Sequence, residues 1–187
     1  MMNDFASDTS PQDLFDLTGN DPRLWAGCAE ALLSSSDVLD AQYPGVPEDD
    51  PDAFWEFFKL HSVSVMLKGM AIECLLKAIW IGHVSSLAVN GRFQSIPGIR
   101  DHDLLAIATA LGKHLDLGLS KEDMELLPVL SFAITSGRYP IPKGFNRRPS
   151  KPDWKQKIKW CKWEIATDRD RFSAMVTKLL RHIDADI

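Results

Sequence analysis

From Val65 to Gly82 the chain reads Val-Met-Leu-Lys-Gly-Met-Ala-Ile-Glu-Cys-Leu-Leu-Lys-Ala-Ile-Trp-Ile-Gly, a helix-forming run that is apolar on almost every side. A helix of that kind has no face to give to water, so it must be surrounded, and the usual solution is the central member of a helical bundle. The start signal lies upstream in Glu48-Asp49-Asp50-Pro51-Asp52, where carboxylates meet the positive end of a helix and proline occupies its first turn. The spacing predicts one helix from Pro51 to about Gly82. Its exceptions are informative: on a helical wheel Lys59, Ser62, Gly69, Glu73 and Lys77 fall within about 40° of Glu73, with Met66 an apolar member of that stripe. Glu73 and Lys77 stand in the favourable order for an i,i+4 ion pair, and a charge pair in a helix this apolar is either a structural device or part of a site.

The other helices are announced by their caps. Asp21-Pro22 opens a helix through Trp25, Cys28, Leu32 and Leu39 to about Gln42, stopped by Tyr43-Pro44-Gly45-Val46-Pro47. Asp101 is expected to start a helix over Leu104, Ile107, Ala108 and Leu111, with His102 and Asp103 at its N-terminus. Ser120 with Asp123 resembles a capping box for a helix through Met124, Leu127, Leu130 and Ile134, kinked at Pro128 and ended by Gly137. Phe172, Met175, Val176, Leu179, Leu180 and Ile183 keep helical spacing behind a start at Thr167 and Asp170. Residues 83–100, with Asn90-Gly91 and Pro97-Gly98, hold either a short hairpin or a plain loop. Residues 154–166 fit a helix or a strand equally well. The expectation is all-α, an up-and-down bundle of about five helices with an irregular proline-rich basic loop.

At 187 residues and 45% hydrophobic content the chain supports one core. Residues 1–20 are expected to be a flexible acidic tail and 21–187 the bundle domain. Three scattered cysteines make neither a disulfide framework nor a metal knuckle, and no dinucleotide, P-loop, EF-hand or zinc motif is present, so neither cofactor nor metal is expected. The N-terminal residues lack the pattern of a secretory leader, and charges interrupt the most apolar helix. A cytoplasmic protein without a membrane partner is the expectation.

The net charge of −5 hides a sharp division. Residues 1–56 carry thirteen acids against Arg23 alone, whereas residues 138–163 carry nine bases against Asp153 alone. Within the basic stretch Arg147, Arg148, Lys151, Lys155, Lys157, Lys159 and Lys162 alternate with Trp154, Trp160 and Trp163. Phosphate attraction combined with base stacking is how single-stranded nucleic acid is held. Equally, the tryptophans can pack inward while the lysines face solvent or the acidic block. Arg138 follows Gly137 at a helix end, where a cation is favoured, and with Tyr139 and Pro140 it also makes a stiff anion clamp. His102, between two aspartates, is a cap-region histidine or an acid–base group.

Taken together, Ala71-Ile72-Glu73-Cys74-Leu75-Leu76-Lys77-Ala78, His102-Asp103-Leu104 and Gly137-Arg138-Tyr139-Pro140 resemble the HEPN superfamily, over roughly residues 20–140 and the final helix. The resemblance implies a helical bundle, often dimeric, in a superfamily whose active members cleave RNA without metal in defence and toxin–antitoxin systems. Active members carry an arginine followed after four to six residues by a histidine. Here the permitted positions after Arg138 are Lys143, Gly144 and Phe145, and no other arginine has a histidine at that spacing. What carries over is the bundle and the positions Glu73, Lys77, His102 and Arg138, which with Asp103 and Tyr139 make up the expected polar pocket. The expected function is a non-catalytic, homodimeric module that binds RNA, a nucleotide or a protein partner. The alternatives are a metal-independent ribonuclease using His102 and Arg138, and an interaction or immunity protein acting through its acidic N-terminal region.

Overall fold

A computed structural model of the chain describes residues 9–42, 51–137 and 167–184. The architecture is an all-α bundle: α1 (Pro11–Gly19), α2 (Pro22–Ala41), α3 (Pro51–His83), α4 (Leu104–Leu111), α5 (Lys121–Gly137) and α6 (Thr167–Asp184), with a two-stranded hairpin, β1 (Ala88–Val89) and β2 (Arg92–Phe93), between α3 and α4. Helix α3 is the axis and α2, α4, α5 and α6 all pack on it. Ile72, Leu75, Leu76 and Ile79 are sealed from solvent by Leu104, Ile107 and Leu111 of α4, Leu127, Leu130 and Ile134 of α5, and Met175 and Leu179 of α6.

The caps work as their residue types require. The Asp21 carboxylate accepts from the Arg23 backbone N–H at 2.9 Å, and Pro22 fills the first helical position of α2. At the start of α5 the Ser120 N–H donates to Asp123 Oδ2 (2.9 Å) while the Asp123 N–H donates to Ser120 Oγ (3.2 Å). This is a capping box with aspartate in the place of the usual glutamate. Asp123 is buried and also accepts from Lys178 Nζ of α6 at 2.7 Å, so one carboxylate both starts α5 and ties it to α6. Pro128 sits inside α5, and its ring is exposed.

Expectations change in α4 and α3. Helix α4 begins at Leu104 rather than at Asp101, because the cap is Asp103, whose side chain accepts from the Ala106 N–H at 3.1 Å. Asp101 instead accepts from Ser95 Oγ at 2.7 Å, and His102 takes a left-handed backbone conformation, φ 68°, that no helix can include. Gly69, placed by the helical wheel in the polar stripe, lies at the contact of α3 with α5: a Cβ there would sit 2.8 Å from Ile134 Cγ1 and 2.9 Å from the Leu130 carbonyl oxygen. The glycine lets two backbones approach where any side chain would force them apart. Gly69→Ala is expected to destabilise the fold by about 1–2 kcal/mol, the overpacking penalty exceeding the gain in helix propensity. An unchanged or higher urea midpoint for that variant would mean the helices can separate freely here.

Residues 11–19, which fall in the stretch expected to be a tail, form α1. Ser10 caps it by accepting from the Asp13 N–H at 3.1 Å. Asn20 fastens it to the hairpin: its Oδ1 accepts from the Leu87 and Ala88 N–H groups (2.8 and 2.9 Å) and its Nδ2 donates to the Ala88 carbonyl (2.7 Å). Of the two readings of residues 83–100, the hairpin is the one formed. Asn90 and Gly91 both have positive φ, 54° and 69°, as a tight two-residue hairpin turn demands, and Ala88 pairs with Phe93.

Candidate functional site

Glu73 is buried in the central helix, 5% exposed, and both of its oxygens are engaged. Oε1 accepts from Lys77 Nζ at 2.6 Å and Oε2 lies 2.7 Å from His102 Nδ1. The first contact follows from the helix itself, since residues four apart face each other. The second is tertiary, because His102 reaches α3 only through its left-handed backbone just ahead of α4. Holding a non-glycine residue there costs about 1–2 kcal/mol, which a charge-assisted hydrogen bond to a buried carboxylate offsets. The contact thereby pins the N-terminal end of α4 against the middle of α3.

Lys77 is covered by aromatic rings. Its Nζ stands 5.6 Å from the Trp25 ring centroid and 5.1 Å from that of Phe93, and the two rings lie 5.6 Å apart at a tilt of 36°. Trp25 is held in place by donating its indole N–H to the Gly19 carbonyl at 2.9 Å. An ammonium lying near two π-faces and bonded to a carboxylate is stabilised on each side, which is how a lysine with a 12% exposed side chain keeps its place in this fold.

The site residues expected from sequence thus divide. Glu73, Lys77 and His102 come together. Asp103 serves as the α4 cap and faces a cavity of about 650 Å³ bordered by Trp80, Thr109 and His114. Arg138, Tyr139 and the basic positions Arg147, Arg148, Lys151, Lys155, Lys157, Lys159, Trp160 and Lys162 lie outside the described residues. Trp25 and Phe93 are the members that sequence reasoning missed. They are 68 positions apart and nothing local in either stretch points to Lys77.

A second charged cluster was also not foreseen. Asp40, near the end of α2, accepts from Ser64 Oγ and from Lys68 Nζ, each at 2.5 Å, and from Arg169 of α6 at 3.4 Å. Lys68 also lies 5.8 Å from the Phe172 ring. Burial alone would raise the Asp40 carboxyl, but the hydrogen bonds from Lys68 and Ser64 and the charges of Lys68 and Arg169 outweigh it, holding its pKa below the usual carboxylate range. His61 stacks on Phe57 with centroids 5.1 Å apart, and burial lowers its pKa despite the nearby Asp40 charge. The signal was present in part: Ser64 and Lys68 are one turn apart in an apolar helix.

Cys74, next to Glu73, is no nucleophile at neutral pH, since burial, the Cys28 sulfur and the Glu73 charge push its thiol up to about 11. Among the described residues no group of three or more His, Cys, Asp or Glu side chains is placed to hold a metal ion, and no helix is long and apolar enough to cross a membrane.

No family model matches the chain, and no solved structure matches it. A curated protein from Cellvibrio japonicus (strain Ueda107), described as N-(5'-phosphoribosyl)anthranilate isomerase, is 35% identical over 81 residues, covering 42% of this chain and 38% of that protein. The chain therefore spans less than two fifths of the length of the relative it matches.

Proposed function

We propose that the chain is a non-catalytic HEPN-like module that assembles as a homodimer and binds single-stranded RNA through its basic, tryptophan-rich segment. The observation that carries the non-catalytic part is the closure of the Glu73 carboxylate between Lys77 and His102, with aromatic rings over the lysine. Such a set satisfies its own charges and serves as an anchor between α3 and α4. The binding part rests on nine bases and three indoles between residues 138 and 163. The absence of an arginine–histidine pair at the spacing of active HEPN members points the same way. The isomerisation named for the Cellvibrio protein is not extended to this chain, because the similarity covers 38% of that protein.

End-labelled single-stranded RNA should be retained intact by the purified protein at low salt. Log affinity should fall linearly with log salt, and neutralising Lys155, Lys157 and Lys159 together should weaken binding and reduce that slope by about 2, close to 0.7 per lost phosphate contact. Retention that does not change with salt, or no retention at any salt, overturns the reading.

One observation favours a second reading. In the neutral His102 ring, Nδ1–H donation to Glu73 puts the lone pair on Nε2, and 27% of this side chain is exposed. A ribonuclease with His102 as acid–base and Arg138 on the phosphate would use that tautomer. Cleavage in the same assay, abolished by His102→Ala and by Arg138→Ala, would replace the binding module with the enzyme.

A further inference from the structure

The first helix faces the wrong way for one that merely covers a core. On a wheel of 100° per residue, Gln12, Asp16 and Gly19 share one side of α1, and that side meets the hairpin. The Gly91 N–H donates to Asp16 Oδ1 at 2.9 Å, and Gly19 lies so close to Ala88 that an added Cβ would stand 2.5 Å from the alanine Cβ. The opposite side carries Leu14 and Leu17, 59% and 66% exposed, while Phe15, 44% exposed, lies nearer the hairpin side. No residue of α1 is buried. The helix is nevertheless well anchored, with Ser10 capping its start and three hydrogen bonds from Asn20 securing its end. An anchored helix with its polar side inward and its leucines in water is the form of an unoccupied helix–partner contact.

Charge selects the occupant. Residues 9–42 hold six acids and one base, Arg23, whose guanidinium is engaged by Asp21 at 3.1 Å. Asp13 on α1 and Glu30 and Asp37 on α2 are exposed. A surface of this sign repels RNA and anionic lipid and attracts cations. We propose that the outward face of α1, with Leu14 and Leu17 beside the exposed Asp13 in a strongly acidic stretch of the chain, is the docking surface for a lysine- or arginine-rich amphipathic segment of a partner protein. The assignment goes beyond RNA binding and uses different residues.

The test is fluorescence anisotropy on the full chain with two labelled synthetic helical peptides, one of leucine and lysine and one of leucine and glutamate at the same spacing. The leucine–lysine peptide should bind and the leucine–glutamate peptide should not. Raising salt from ~50 to ~300 mM should weaken binding severalfold. Leu14→Ser with Leu17→Ser should weaken it at least about tenfold, and Leu14→Met with Leu17→Met should retain it. Both leucines are solvent-exposed, so thermal melts of the variants should match the parent, and RNA retention should not change. Equal binding of both peptides, or binding indifferent to the serine pair, overturns the proposal. So does a dimer in sedimentation that the serine pair dissociates, which would assign the face to a second copy. Tighter α1-dependent binding of a peptide spanning residues 147–163 would assign it to the chain's own basic segment and also overturn the proposal.

Discussion

Replacing Glu73 with alanine is expected to lower the free energy of unfolding by about 3–5 kcal/mol, because the Lys77 ammonium, on a part-buried side chain, and the left-handed His102 lose the carboxylate that holds them. Against a typical total of about 5–15 kcal/mol, that loss takes a large share of the stability of an ordinary domain. Glu73→Gln keeps a carbonyl acceptor and should fall between alanine and the parent. The informative variant is Glu73→Leu combined with Lys77→Met. If the ion pair is a structural anchor, exchanging both partners for apolar groups of similar volume removes the desolvation cost along with the attraction, and most of the loss should be recovered. Urea denaturation of the single and double variants reads the comparison directly. A Glu73→Ala variant as stable as the parent would show that the carboxylate holds nothing.

The second large effect concerns Asp40. Asp40→Ala withdraws the carboxylate that accepts from Ser64, Lys68 and Arg169, leaving a lysine whose side chain is only 7% exposed without it, and should cost about 3–5 kcal/mol. The same cluster predicts a pH dependence of definite sign. Asp40 and Asp123 have folded pKa values below their unfolded ones, so the stability they contribute is fully present above the unfolded carboxylate value of about 4 and is lost as pH falls through the folded values. For Asp123, hydrogen bonds from Lys178 and Ser120 outweigh the upward pull of burial. His61 acts earlier. Burial lowers its folded pKa, so below about pH 6.5 the unfolded chain takes up a proton that the folded chain resists, and stability falls. Urea midpoints should therefore decline from pH 7 downward in two stages, the first removed by His61→Gln and the second reduced by Asp40→Asn. A flat profile between pH 7 and 5 in the parent would contradict a lowered folded pKa for His61.

Much of the bundle was legible because its signals are local. Proline after an aspartate, a serine three residues before an aspartate, and leucines every three to four positions each act within one or two turns, and α2, α3, α5 and α6 formed where those signals lay. Two local signals misled. Asp101 and Asp103 are equivalent as caps on paper, and only the left-handed turn at His102 decides for Asp103. Gly69 reads as part of a polar stripe, yet it is small because α5 passes close by.

For the candidate site the division is similar. The Glu73–Lys77 pair was readable from a spacing of four. Its closure by His102 depends on a contact across 29 positions, and its cover by Trp25 and Phe93 on a hairpin folding back over α2. The Asp40 cluster joins α2, α3 and α6 across 24 to 129 positions.

By itself the sequence determined the helical class, the central place of α3, most of the helix starts and the uneven distribution of charge, since periodicity, capping and composition are properties of neighbouring residues. Only the tertiary structure decided which partners the buried charges take, that α1 turns its leucines outward, and where Gly69 must be small. Those outcomes depend on side chains distant in sequence sharing one low-dielectric space, where a carboxylate is stable only once a particular lysine or histidine has been brought beside it.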